Sequence, residues 1–283
     1  MVVFETRTTR SIDRHMTAVA QYADLDVRAL SGALGAEVRG IDVTSLDENG
    51  FTTVHTLLLE YGVLALHGHA HLTVSQLREF GMRWGKLDVH GFAPFEGFDD
   101  ALRVRADPDH PQVSEQWHTD ASWKEIPPKF TMLLARQMPS AGGDTLFASQ
   151  YKAYEDLSDA MKTFVDPLDV QHDGRIIDLK LAEQSVTHPL VITHPETGRK
   201  ALYVNANYTQ RVVQLAPRES TALLKFLFAH CTRERYQARV RYEPGTLAIW
   251  DQRCVQHAAA ADFDGETREL HRIAVLGDAP PSR

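Results

Sequence analysis

Apolar positions fall at two periods along this chain, and the change from one to the other marks its elements. Short extended segments at 27–30 and 36–41, separated by Gly32 and Gly35, predict a hairpin. Ser45 and Glu48 form an S-x-x-E capping box ahead of Phe51, Val54, Leu57 and Leu58, which predicts a helix over 46–60. A buried strand over 63–66 follows, and then a second capping box, Thr73 with Gln76. That box opens a helix through Leu77 and Phe80 to Trp84. From 85 to 115 the periodicity fades and the stretch reads as loop. Strands are expected at 130–136 and 145–148 on either side of a tight Gly142-Gly143-Asp144 turn, followed by an amphipathic helix over 151–165. Further strands at 190–193, 201–205, 238–242, 246–250 and 269–276 crowd the C-terminal part. A helix over 218–231 interrupts them, its stripe formed by Leu223, Leu224, Phe226 and Leu227.

Many short strands with long connections and few helices predict a mainly β fold, a sandwich or jelly roll with helices packed outside. Strands and helices do not alternate regularly, which counts against a doubly wound sheet. The strands spread over both halves, so residues 25–283 are expected to form one domain behind a polar N-terminal arm, 1–24. The 43% hydrophobic and 24% charged content of the 283 residues fits an ordinary folded protein. A net charge of −8 and a pI near 5.9 weigh against nucleic acid and anionic membranes as partners. Cys231 and Cys254, without CxxC spacing, are expected to be reduced and structural. Neither a signal-peptide run nor a stretch of 18 apolar residues is present, so the expected location is the cytoplasm.

Histidine is the residue in surplus, at 14. His118-Thr119-Asp120 has the H-x-D form, and in extended backbone residues i and i+2 point the same way. About one such triplet is expected by chance at this His and Asp content, so alone it fits a solvated loop pair equally well. A second histidine from a distant strand would complete a two-histidine, one-carboxylate metal site with open positions, and His257 is the candidate. Downstream, Arg268 and Arg272 share one face of an expected strand, about 13 Å apart. Facing inward they require anionic partners; facing outward they are ordinary surface cations. His67, His69 and His71 alternate as well, but between a strand and a capped helix they read as a connecting loop. His172, His188, His194 and His230 have no neighbours at metal-binding spacing, and Trp84, Trp117, Trp123 and Trp250 read as core or pocket wall.

Several of these motifs together resemble the Fe(II)- and 2-oxoglutarate-dependent taurine dioxygenase (TauD/TfdA) family, over roughly 30–280. They are Trp117-His118-Thr119-Asp120, Gly142-Gly143-Asp144-Thr145, Leu202-Tyr203-Val204-Asn205, Ile249-Trp250-Asp251 with His257, and Leu270-His271-Arg272 before Leu276-Gly277-Asp278. The resemblance implies a double-stranded β-helix of the clavaminate synthase-like kind, a jelly-roll variant. It also implies His118, Asp120 and His257 as ligands of Fe(II), with Thr145 and Arg268 holding 2-oxoglutarate. By the same resemblance Arg272, assisted by His90, anchors the acidic group of a small sulfonate or aryloxyalkanoate substrate for hydroxylation by O2. Asp120 counts against halogenation, in which related enzymes leave that ligand position to chloride. Dimers or tetramers are implied too.

Two positions depart from the taurine enzymes. Where those carry Tyr and Asn, this chain has Ala93 and Ser114, which implies a roomier pocket for a substrate other than taurine, with Phe92 or Phe95 as lining. The stretch 198–211 is closer to the aryloxypropionate-degrading members. Gln252 stands where the family often has Asn, outside the ligand set. Two other readings remain at this point: an oxygenase of a biosynthetic intermediate without a strong acid, and a non-catalytic jelly-roll module that binds anions.

Overall fold

A computed structural model describes residues 25–89, 94–110, 114–179, 183–263 and 265–283. In chain order the elements begin with β1 (Asp26–Ala29), β2 (Ala36–Arg39), α1 (Glu48–Tyr61), β3 (Val63–Leu66), α2 (Val74–Met82), β4 (Pro94–Phe95) and β5 (Phe98–Ala106). The middle of the chain supplies β6 (Pro128–Gln137), β7 (Thr145–Ser149), α3 (Gln150–Glu155), α4 (Asp159–Val165), β8 (Asp169–His172), β9 (Val186–Pro189), β10 (Val191–Thr193), β11 (Lys200–Leu202) and β12 (Thr209–Val212). The last elements are α5 (Pro217–Cys231), β13 (Gln237–Val240), β14 (Leu247–Asp251), β15 (Val255–Ala259) and β16 (Arg268–Leu276).

The strands build a jelly roll. Its large sheet runs β1-β2-β3-β14-β6-β16-β5-β4, and a small sheet, β13-β7-β15, packs across one of its faces. The central strand β3 is apolar at every position because both of its faces are covered. In β3, Val63 and Ala65 join Leu133, Trp250 and Leu270 against Phe147 and Val255 of the small sheet. Leu64 and Leu66 turn the other way and pack with Met132, Ile249 and Ile273 under α1 and α2, through Leu58, Leu77 and Phe80. A third core beneath α5 joins Leu224 and Leu227 to Val170, Leu190 and Leu202. No helix among the described residues is long and apolar enough to cross a membrane.

Several boundaries differ from the sequence pattern for local reasons. The cap of α1 is Asp47, whose Oδ1 accepts from Gly50 N at 2.7 Å, because Ser45 is held in a turn back to Asp42. The expected helix over 151–165 is two helices: Leu157 drops into the core, and Ser158 caps a new start at Met161 N. Phe226 lies off the buried arc of α5 and is 45% exposed. The strand β5 was hidden in the loop-like 85–115 stretch because Arg103 and Arg105 point out of it to Glu269 of β16. Residues 1–24, expected as a polar arm, lie outside the described residues.

Candidate metal centre

β15 pairs with β7, setting His257 opposite Phe147. Beyond the outer edge of β15 lies the segment carrying the H-x-D motif, and the two meet at a single bridge: His257 N donates to His118 O at 2.8 Å, and His118 N donates to His257 O at 3.0 Å. H-x-D is therefore joined to β15 through an isolated bridge and not as a full strand, with Ala259 N donating to Ser114 O at 2.8 Å beside it. Immediately afterwards Ala121 adopts φ 48°, a left-handed conformation that L residues rarely take and that surrounding structure must enforce. The Asp120 carboxylate lies beside both imidazoles. Its Oδ1 lies 3.5 Å from His118 Nε2 and 3.8 Å from His257 Nε2, and the three prospective donor atoms are all within 4.8 Å of one another.

The donor set suits a divalent transition metal. Adjacent ligands about 2.1 Å from an octahedral ion stand about 3 Å apart, so these side chains need only sub-ångström to roughly 2 Å adjustments to share one. His118 Nδ1 donates to Gln116 O at 2.8 Å, which fixes the ring with Nε2 facing Asp120. Burial, and then the neighbouring His118, holds the His257 imidazole down at about 3, so it is neutral and able to ligate. Burial pushes the Asp120 carboxyl up, but Arg272, His257 and His118 outweigh it and keep the group well below the usual range. Tyr208 stacks edge-on near His118, at a centroid distance of 6.3 Å.

Arg268 and Arg272 lie on the same inward face of β16, as the strand alternation predicts. Arg272 Nη2 donates to Asp120 Oδ2 at 2.9 Å, which puts the second cation directly against the prospective metal ligands. Arg268 is only 3% exposed; its Nε donates to Gly143 O at 2.6 Å and its Nη2 to Thr145 Oγ1 at 3.5 Å. No carboxylate of the described residues lies within ion-pair distance of this buried guanidinium, which converges with the Thr145 hydroxyl. The Gly142-Gly143 turn makes this possible, with φ of 79° and 71°. A Cβ on Gly143 would stand 3.2 Å from Arg268 Cδ, and one on Gly142 only 2.2 Å from Asp262 O. Thr145 is two residues from Phe147, the partner of His257, so the Thr145–Arg268 pair is about 7 Å along β7 from the histidines.

The remaining sequence candidates separate. His90, together with Phe92 and Ala93, lies outside the described residues. Phe95 does not line this site; it packs edge-on against His271, on the opposite face of β16 from Arg272. His69 accepts from Val43 N and serves the fold, as do His172 between Ser122 and Thr209 and His194 against Asp251. Three contributors had no sequence signal of their own. Tyr242 donates to Thr145 Oγ1 at 3.1 Å, Thr131 donates to Asp120 Oδ2 at 3.0 Å, and Gln252 bonds Asp120 through both ends of its amide. Gln252 was visible as a departure from the family pattern, although nothing in the sequence placed it against a ligand.

Comparison with known proteins agrees with this geometry. The family described as "Taurine catabolism dioxygenase TauD, TfdA family" matches residues 26–274. The chain is 32% identical to an alpha-ketoglutarate-dependent dioxygenase, cnsP, of Penicillium expansum, over 89% of this chain and 75% of that protein. It is 31% identical to an alkylsulfatase of Acinetobacter baylyi, over 90% of this chain and 86% of the relative. A crystal structure of a taurine dioxygenase from Burkholderia xenovorans superposes with a TM-score of 0.80 at 32% identity, covering 90% of this chain and 92% of that one.

Proposed function

Because this chain belongs to the TauD/TfdA family of 2-oxoglutarate-dependent dioxygenases, we propose that it hydroxylates a C–H bond of a small organic acid at a ferrous centre held by His118, Asp120 and His257. The overall reaction consumes substrate, O2 and 2-oxoglutarate and yields hydroxylated substrate, succinate and CO2. When bound, the iron supplies the site at which O2 is activated. The protein's part is placement. His118 and His257 present Nε2 atoms on one side and Asp120 presents Oδ1 between them, and these three would hold the iron.

Thr145 and Arg268 hold the distal carboxylate of 2-oxoglutarate in this reading. The guanidinium supplies a planar fork in a dry pocket, where charge-assisted hydrogen bonds are strong. Arg272 stands beside the ligand set, and in this reading its guanidinium anchors the acidic group of the primary substrate, orienting one C–H bond toward the metal. His90 is assigned the same substrate. The position of Arg272 is the observation that favours an acidic substrate over a neutral biosynthetic intermediate. The relatives named alkylsulfatase and taurine dioxygenase point to sulfate esters and sulfonates, and aryloxyalkanoates carry the same kind of anion. Hydroxylation of the carbon that bears a sulfate or aryl ether oxygen would give a hemiacetal-type product that collapses to a carbonyl compound and releases inorganic sulfate or a phenol.

We read residues 25–283 as one catalytic domain of a cytoplasmic dimer or tetramer, with no nucleic acid or membrane partner; the acidic net charge weighs against anionic partners, and the two buried free cysteines fit a reducing compartment. The function is tested by incubating protein with Fe(II), 2-oxoglutarate and O2 against sulfonates, alkyl sulfates and aryloxyalkanoates. Succinate formation stimulated by one of these acids is expected. Iron-independent anion binding without turnover across the whole panel would favour the non-catalytic reading.

A further inference from the structure

We infer that Gln252, together with Thr131, is a positioning residue that restricts Asp120 to one metal-facing oxygen, an inference that rests on the metal centre proposed above. The two carboxylate oxygens of Asp120 have different surroundings. Oδ1 faces the two imidazole Nε2 atoms. Oδ2 accepts three hydrogen bonds, from Gln252 Nε2 at 2.5 Å, Thr131 Oγ1 at 3.0 Å and Arg272 Nη2 at 2.9 Å. Three donors exceed the two lone pairs of a carboxylate oxygen, so Oδ2 has nothing left for a cation.

The amide of Gln252 can be oriented only one way. Its Oε1 accepts the Asp120 backbone N–H at 3.0 Å, so its two N–H donors reach Asp120 Oδ2 and, at 2.8 Å, Thr131 Oγ1. Gln252 therefore grips Asp120 by main chain and side chain at once and sets the carboxylate's rotation. Its own backbone is fixed: Gln252 N donates to Lys129 O, and the preceding Asp251 is held by His194 at 2.9 Å and by Arg253. Asparagine would be shorter by one methylene, about 1.5 Å, and could not span both ends of Asp120.

The restriction has a chemical consequence. A divalent ion held by two histidines and a single carboxylate oxygen would keep more of its coordination sphere open to the reactants than one held by both oxygens of Asp120. Gln252 and Thr131 would thus act through Asp120, by keeping Oδ2 turned away from the ion.

The test uses the full chain and Co(II) alone, which reports affinity and, through its d–d absorption, coordination. Gln252→Leu is expected to weaken Co(II) binding by about 10–100-fold and to change the d–d spectrum, while Gln252→Asn and Thr131→Val give smaller losses of the same kind. A purely structural role would lower the melting temperature of the metal-free protein and leave the spectrum alone. Co(II) affinity within twofold of the unsubstituted protein, with an unchanged spectrum, in a Gln252→Leu protein that melts normally would overturn the inference. Should that variant not fold, the nearly isosteric Thr131→Val decides it by the same criterion. Failure of the unsubstituted protein to bind Co(II) would instead remove the metal centre itself.

Discussion

His118 and His257 exchange a pair of backbone hydrogen bonds, at 3.0 and 2.8 Å, although they lie in distant parts of the sequence. A hydrogen-bonded antiparallel pair projects both side chains to the same face, and here the two imidazole centroids are 4.2 Å apart. The main chain thereby sets the spacing of the two histidines before any ion is bound. Replacing His257 by Gln keeps that bridge and removes one donor. Metal affinity is expected to fall by more than about 100-fold with succinate formation abolished, while the far-ultraviolet circular dichroism stays unchanged. A variant that still couples 2-oxoglutarate consumption to metal would exclude His257 from the ligand set.

The anion pocket predicts a kinetic separation. Lysine at position 268 keeps the charge but loses the fork, so Arg268→Lys is expected to raise the KM for 2-oxoglutarate by about 10–100-fold, with metal affinity unchanged. Gly143→Ala should move the same constant, since its Cβ would be wedged between Pro139 Cγ at 2.9 Å and Arg268 Cδ at 3.2 Å from a backbone held at φ 71°. Steady-state kinetics at saturating primary substrate reads both effects. An unaltered KM in Arg268→Lys would place the co-substrate elsewhere.

Arg272 is assigned to the primary substrate, so its removal should act on a different constant. Arg272→Ala is expected to raise the KM for an acidic substrate by at least about 100-fold, and to leave 2-oxoglutarate turning over without coupled product. Equal activity of the variant and the unsubstituted enzyme would point to a substrate without a strong acid.

Stability should fall on mild acidification. Burial, and secondarily His188, holds the His172 imidazole at about 3, against an ordinary 6.5. Between those values the unfolded chain binds a proton that the native chain refuses. The contribution of this group is complete above pH 6.5 and is lost as the pH falls toward 3, at about 1.4 kcal/mol per pH unit. Urea unfolding of metal-free protein at pH 7.5, 6.5 and 5.5 should show a decline confined to the lower interval, reduced in His172→Gln. A profile flat to pH 5.5 would contradict this.

The strands most legible in the sequence were those with a continuous apolar run. β3 and β14 are covered on both faces, so burial wrote every position. β5 and β15 were harder because their polar positions answer to partners remote in sequence: Arg103 and Arg105 to Glu269, and His257 to His118. The metal-ligand candidates could be named because H-x-D, a later histidine and a two-arginine strand form a recognisable set. What surrounds them could not. Gln252, Thr131 and Tyr242 acquire their roles from contacts between β6, the β14–β15 turn, β7 and the segment after β13, and such contacts leave no periodic trace.

The most direct measurement is an anaerobic crystal structure with Fe(II) and 2-oxoglutarate, the metal located by anomalous scattering at the iron edge. The account predicts one iron peak bonded to His118 Nε2, His257 Nε2 and Asp120 Oδ1, with Asp120 Oδ2 still turned to Gln252 and the distal carboxylate of 2-oxoglutarate on Arg268. Iron bound at another place, or a centre that either histidine does not reach, would contradict it.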